Sequence, residues 1–171
     1  GAVIFDPQPD VLARERGTLN KDQRWQTFEG LVDHKVIVGN PYALNMNAEI
    51  IAELAGKKKT HLKKYQSEVH LLTDFRKFLV ENGFGENNKA FVVGKNFAKF
   101  DDRFLENIPG WMNLPIHHRI LDPGSLCFNP RDGKILNLEE CLERLGIRKS
   151  VSHRALADAR DVATVITRFF N

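Results

Sequence analysis

The sequence predicts an α/β fold in three layers, a mixed β-sheet flanked by helices. Two observations predict it. Short apolar runs come first along the chain, and helix-period segments then alternate with further short apolar runs. No internal repeat or linker interrupts that order. With 171 residues, 42% of them hydrophobic, the chain is large enough for one core, and a single domain over 1–171 is expected.

Ala2-Val3-Ile4-Phe5 reads as a buried strand stopped by Asp6-Pro7. Residues 7–22 are polar and read as loop. Trp25 to Val32 alternates loosely and predicts a second strand, which Val36-Ile37-Val38 extends before Gly39-Asn40-Pro41 breaks it. Asn47 is placed to cap a helix through Ile50, Ile51 and Leu54, with Gly56 as its stop. Leu71, Leu72, Phe75, Phe78 and Leu79 recur at helical spacing up to Gly83.

Ala90-Phe91-Val92-Val93-Gly94 predicts a central strand buried on both faces. A short helix with Phe104, Leu105 and Ile108 follows, then a strand at Arg119-Ile120-Leu121-Asp122. Asn137 and Glu140 have the spacing of a capping box for a helix ending at Gly146. Ser152 is placed to cap the last helix, whose apolar face runs through Leu156, Ala159, Ala163, Ile166 and Phe170.

Composition narrows the function. No apolar stretch approaches membrane-spanning length and no signal-peptide pattern occurs, so no membrane partner is expected. Cys127 and Cys141 sit among apolar neighbours and fit neither a disulfide framework nor a metal knuckle. They read as buried free thiols, which points to a reducing, cytoplasmic setting. A net charge of +3 permits a nucleic-acid partner without demanding one.

Two acidic segments carry the chemistry. Asp101 follows the strand 90–94 closely, and sites in open α/β sheets form beyond the carboxyl ends of strands. Taken alone, Asp101 and Asp102 are ordinary first-turn acids that complement the helix dipole. His153 lies five residues before Asp158, a separation of roughly 140° on a helix, so the two do not share a face. The spacing suits a His153 on the loop before the helix, folded back as a base, with Asp158 on the inner face beside Ala155 and Ala159. A neutral imidazole accepts a proton from water at neutral pH. Asp161, one turn on, reads as a surface acid.

The segment Val93-Gly94-Lys95-Asn96-Phe97-Ala98-Lys99-Phe100-Asp101-Asp102-Arg103-Phe104-Leu105 resembles the second motif of the DEDDh (DnaQ-like) 3′–5′ exonucleases. His153-Arg154-Ala155-Leu156-Ala157-Asp158 resembles their third, and Ile120-Leu121-Asp122 is similar to the strand and turn of oligoribonuclease-type members. Lys95 stands where many members have His. The resemblance implies a ribonuclease H-like fold and two-metal hydrolysis at the 3′ end of single-stranded DNA or short RNA. It implies Asp101 and Asp158 as ligands of two Mg²⁺ or Mn²⁺ ions and His153 as general base. It also places the segment Tyr42 to Asn47, with Tyr42, Leu44 and Asn47, at the pocket for the terminal nucleotide, where aromatic and apolar side chains stack on bases. Core packing accounts equally well for Leu44. Asn96 is placed to orient Asp101, to touch substrate or to cap a helix.

The family's first motif, Asp-x-Glu, occurs nowhere in these residues. Either that strand lies upstream of Gly1, the reading favoured by the apolar run at 2–5, or Asp6-Pro7-Gln8 takes its place with Gln for Glu. An inactive module of the same fold, binding nucleic acid or a protein partner, is the alternative. Five lysines between Lys57 and Lys64 read as a solvated connector or as a phosphate contact. A homo-oligomer or a larger polypeptide stays open.

Overall fold

The computed structural model describes residues 1–5, 25–147 and 154–170. The expectations for Asp6-Pro7-Gln8, the loop 7–22, Ser152 and His153 therefore lie wholly or almost wholly outside the described residues.

Within them the fold is mixed α/β, with small parallel and antiparallel sheets flanked by helices. Strand β1 (Ala2–Ile4) pairs antiparallel with β2 (Gln26–Phe28). Strand β3 (Gly30–Val32) pairs parallel with β4 (Lys63–Tyr65), and β5 (Ala90–Val93) pairs parallel with β6 (Ile116–Leu121). Parallel neighbours need a long crossover. The first crossover carries helices α1 (Pro41–Met46) and α2 (Ala48–Leu54), and the second carries α4 (Asp101–Leu105). Helix α3 (Glu68–Glu81) joins β4 to β5. After β6 come α5 (Pro123–Leu126), α6 (Leu138–Arg144) and α7 (Ala155–Phe170).

Two apolar clusters form the core. Leu72 and Leu79 of α3 meet Trp111 and Leu114, with Ile4, Phe75, Ala90, Phe97 and Ile116 packed around them. Phe28 of β2 adds ring contacts to Phe75 and Phe78 at 5.3 and 5.6 Å. Cys127, Leu136, Cys141, Leu142 and Val165 make the second cluster, which joins α5, α6 and α7. Both cysteines are buried free thiols, as expected. The Cys141 thiol is pushed up to about 12 by burial and by the neighbouring Cys127. Burying a leucine side chain is worth about 1.5–3 kcal/mol, so α3 is held mainly by the face that carries Leu72 and Leu79. Its start is fixed by Ser67, whose hydroxyl accepts from the His70 N–H. At α6 the capping box of Asn137 and Glu140 forms as predicted.

Several expectations are corrected. The run Trp25 to Val32 is two strands, divided at Glu29 and entering different sheets. Val36-Ile37-Val38 is no strand: the β3–β4 ladder ends where the Asp33 N–H donates to Tyr65 O at 2.8 Å. Asn47 caps no N–H at α2 with its side chain; its Nδ2 donates instead to Ala43 O at 2.9 Å, closing α1. The lysine run is not a bare connector, because Lys63 and Lys64 belong to β4. Lys63 pairs with Asp74, and Lys64 Nζ donates to Leu54 O at 3.1 Å. Strand β5 is not buried on both faces, since Phe91 is 71% exposed. Asp161 is not a surface acid: it is buried on α7 among Val162, Ala163, Val165 and Ile166. No described helix is long and apolar enough to cross a membrane.

Candidate active site

The carboxyl ends of β5 and β6 are tied together by one acid. Asp122 caps α5 by accepting from the Gly124 N–H at 2.7 Å. It also accepts from the Asn96 N–H at 2.8 Å and from Lys95 Nζ at 3.1 and 3.2 Å. Burial pushes its carboxyl up, but these donors outweigh that and hold it below the usual range. Asn96 turns the chain out of β5 with φ 56°, in the left-handed region that asparagine tolerates better than most residues. Its carbonyl then accepts from the Lys99 and Phe100 N–H groups, and α4 begins at Asp101. Asn96 is thus an anchor of this turn and not the N-cap of α4, which is Phe100.

The two consecutive acids at the start of α4 divide their work. Asp102 Oδ1 accepts from the buried Trp111 indole N–H at 3.1 Å, which binds the helix to the core. Asp101 is left exposed as a residue, although protein packed about its carboxyl raises its pKa by desolvation.

Asp158 lies in the first turn of α7, with Oδ1 buried. That turn packs against the start of β1: a Cβ on Gly1 would lie 2.5 Å from Leu156 N. Asp158 therefore sits on a turn packed at the start of β1, while Asp101 opens α4 after β5. His153 lies outside the described residues, but its neighbour Arg154 does not. Arg154 Nη1 reaches Glu53 Oε1 at 3.1 Å and Glu49 Oε2 at 3.4 Å, which ties the start of α7 to α2. Glu53 is 4% exposed and its carboxyl is held low by Arg154 and then by Thr60.

Tyr42 and Leu44 lie on α1, with Asn47 at its end, and α1 packs on α2. Tyr42 is exposed, Leu44 would meet a Cβ placed on Gly39, and Asn47 closes the helix. The structure thus links α1 through α2 and Arg154 to the start of α7, while Asn96 belongs to the Lys95–Asp122 cluster. Sequence reasoning missed Glu53 and Arg154. The available signal was only that Arg154 adjoins His153 within the third motif.

Oxygen donors at Asp101 and Asp158 suit a hard cation. Mg²⁺ is commonly held by about one or two carboxylates, with water and substrate phosphate filling its other positions. A pair of cations needs more acids, and the described residues contain no group of three or more His, Cys, Asp or Glu placed to hold a metal. Asp101 and Asp158 are carboxylates of the kind such a site uses.

The protein is thus of a class with an α/β-layered fold and acids in the first turns of α4 and α7. The match to known families gives the class its name. Residues 32–166 match the model of the RNase_T exonuclease family, and the chain belongs to that family, within the DEDDh (DnaQ-like) superfamily of nucleases. No curated protein and no solved structure matches the chain.

Proposed function

We propose that this nuclease-family chain is a metal-dependent 3′–5′ exonuclease that removes nucleotides from the 3′ end of single-stranded DNA or short RNA. The observation that carries the reading is the family match over residues 32–166, with Asp101 and Asp158 in the first turns of α4 and α7. Bound Mg²⁺ or Mn²⁺ supplies Lewis-acid activation of water and charge stabilisation at the leaving oxygen. Asp101 and Asp158 hold the cations, which the third-motif and second-motif resemblance counts as two. His153 takes the proton from the attacking water, a role worth about 10²–10⁴-fold in rate. Arg154, next in sequence to His153, holds the start of α7 against Glu53. Tyr42, Leu44 and Asn47 receive the terminal nucleotide, with Asn96 at the turn before Asp101.

The test is digestion of 5′-labelled DNA and RNA oligonucleotides with Mg²⁺ or Mn²⁺, with and without chelator. A ladder shortening from the 3′ end, abolished by chelator, is expected. Internal fragments, or a ladder that persists in chelator, overturn the reading. A second reading, an inactive module of this fold that binds nucleic acid or a protein partner, is favoured by the absence of a three-member ligand group among the described residues. Binding of the oligonucleotide without cleavage under every metal condition supports it.

A further inference from the structure

The register of β5 on β6 is irregular. Ala90 pairs with Ile116 and Val92 with Ile120, so one residue of β5 faces three of β6. That bulge places His117, His118 and Arg119 opposite Phe91. Bulges of this kind re-aim side chains that an even ladder would send to alternate faces. Here the result is a stack: Phe91 on His117 with centroids 4.6 Å apart and planes at 26°, and His117 on His118 at 4.4 Å and 25°. The Arg119 N–H donates to His117 Nδ1 at 3.0 Å and fixes that ring. The outer end of the stack, Phe91, is 71% exposed. The pKa of His117 is lowered by desolvation and then by the nearby His118, Arg119 and Lys89.

A fixed row of flat rings beside cationic side chains has the two components of a single-strand nucleic-acid surface: π-faces for bases and positive charge for phosphates. A hydrophobic protein-docking patch has no need of the cationic flank. We propose that Phe91, His117 and His118 form an accessory stacking platform for unpaired bases of DNA or RNA, with Lys89 and Arg119 on the phosphates. The proposal rests on the nucleic-acid reading given above but concerns another place. Phe91 is two residues before Val93, about 7 Å back along β5 from its carboxyl end. The platform holds strand distant from the 3′ terminus being cleaved.

The experiment measures anisotropy of 5′-fluorescein dT and U oligonucleotides of about 4 and 20 nucleotides in chelator, where hydrolysis plays no part. Phe91→Ala and the double variant His117→Ala/His118→Ala are expected to weaken binding of the long oligonucleotide about 5- to 150-fold, the range for losing one base stack. Phe91→Tyr restores it. Lys89→Ala/Arg119→Ala reduces the slope of log affinity against log salt by about 1–2. A second measurement needs no variant: photocrosslinking of a 5-bromouracil oligonucleotide to wild-type protein, with crosslinks expected on the peptides that contain Phe91 or His117. Undiminished affinity in folded Phe91→Ala, or crosslinks confined to other peptides, overturns the platform. So does a wild-type dimer that Phe91→Ala dissociates without change in oligonucleotide affinity. Failure of hydrolysis in the previous experiment leaves these binding results readable, and failure of the platform leaves cleavage of short substrates unchanged.

Discussion

Arg154 Nη1 lies 3.1 Å from Glu53 Oε1, a contact between residues 101 positions apart in sequence. It fastens the start of α7 to α2 immediately after His153. Replacing Arg154 with Met keeps much of the apolar stem and removes the charge. The expected result is a lower melting temperature and about a 10–10²-fold loss in kcat with KM little changed, because a base displaced by an ångström works poorly. A rise in KM alone, with kcat intact, would assign Arg154 to substrate binding instead.

His153→Ala should lower the rate of oligonucleotide digestion by about 10²–10⁴-fold without changing the circular dichroism spectrum. Rescue of part of that rate by added imidazole would identify the lost group as a proton acceptor. Digestion at the wild-type rate would remove His153 from the chemistry.

Asp122 makes stability depend on acid. Its folded pKa is depressed, so the stabilisation it gives is present above the unfolded value of about 4 and is lost as pH falls through the lower folded value. Asp122→Asn should be about 1–3 kcal/mol less stable than wild type in urea at pH 7, with Lys95 left short of a carboxylate. The gap between the two proteins should close below pH of about 4. A difference constant down to pH 2 would show that the donors around Asp122 do not favour its charged form.

The indole–carboxylate bond between Trp111 and Asp102 gives a separate handle on Asp101. Trp111→Phe retains an aromatic in the core and deletes the donor to a carboxylate, at a cost of about 1.5–3 kcal/mol. If α4 orients Asp101 through this bond, the variant also needs more Mg²⁺ for half-maximal hydrolysis. An unchanged metal requirement would make the bond purely structural.

Asn96 separates backbone from side chain. Asn96→Gly suits φ 56° and should fold as well as wild type, whereas Asn96→Ala should lose about 1–2 kcal/mol through left-handed strain. If Asn96 also touches substrate, both variants raise KM together. If KM follows stability alone, its role ends with the turn.

What the sequence made legible was what local chemistry decides. The periodic Leu71, Leu72, Phe75, Phe78 and Leu79 specify α3, and Asn137 with Glu140 specifies the start of α6, because partners three or four residues apart settle both. Strand β4 was hidden, since Lys63-Lys64-Tyr65 has no strand pattern and becomes one only by pairing with Gly30–Val32. The burial of Asp161 and the exposure of Phe91 were misread for the same reason: each depends on which element packs alongside. At the site, the motifs pointed to Asp101 and Asp158 through their order and spacing. The Glu53 partner of Arg154 comes from a helix far upstream, and no spacing rule reaches it.

Gly124 has consequences for how this domain tolerates change. A Cβ there would meet Leu136 O at 2.5 Å and both Ile135 Cγ2 and Lys95 Nζ at 2.9 Å. At Gly133, by contrast, space is open and only the backbone angle, φ 66°, resists a side chain. The two positions should behave differently in a saturation library. Asparagine should survive at 133, while at 124 even alanine should be purged, because it would press on the backbone of the loop that bears Leu136 and displace the Lys95 side chain. An evolving lineage could drift at the first turn, but at the second it is held by want of room for a single methyl group.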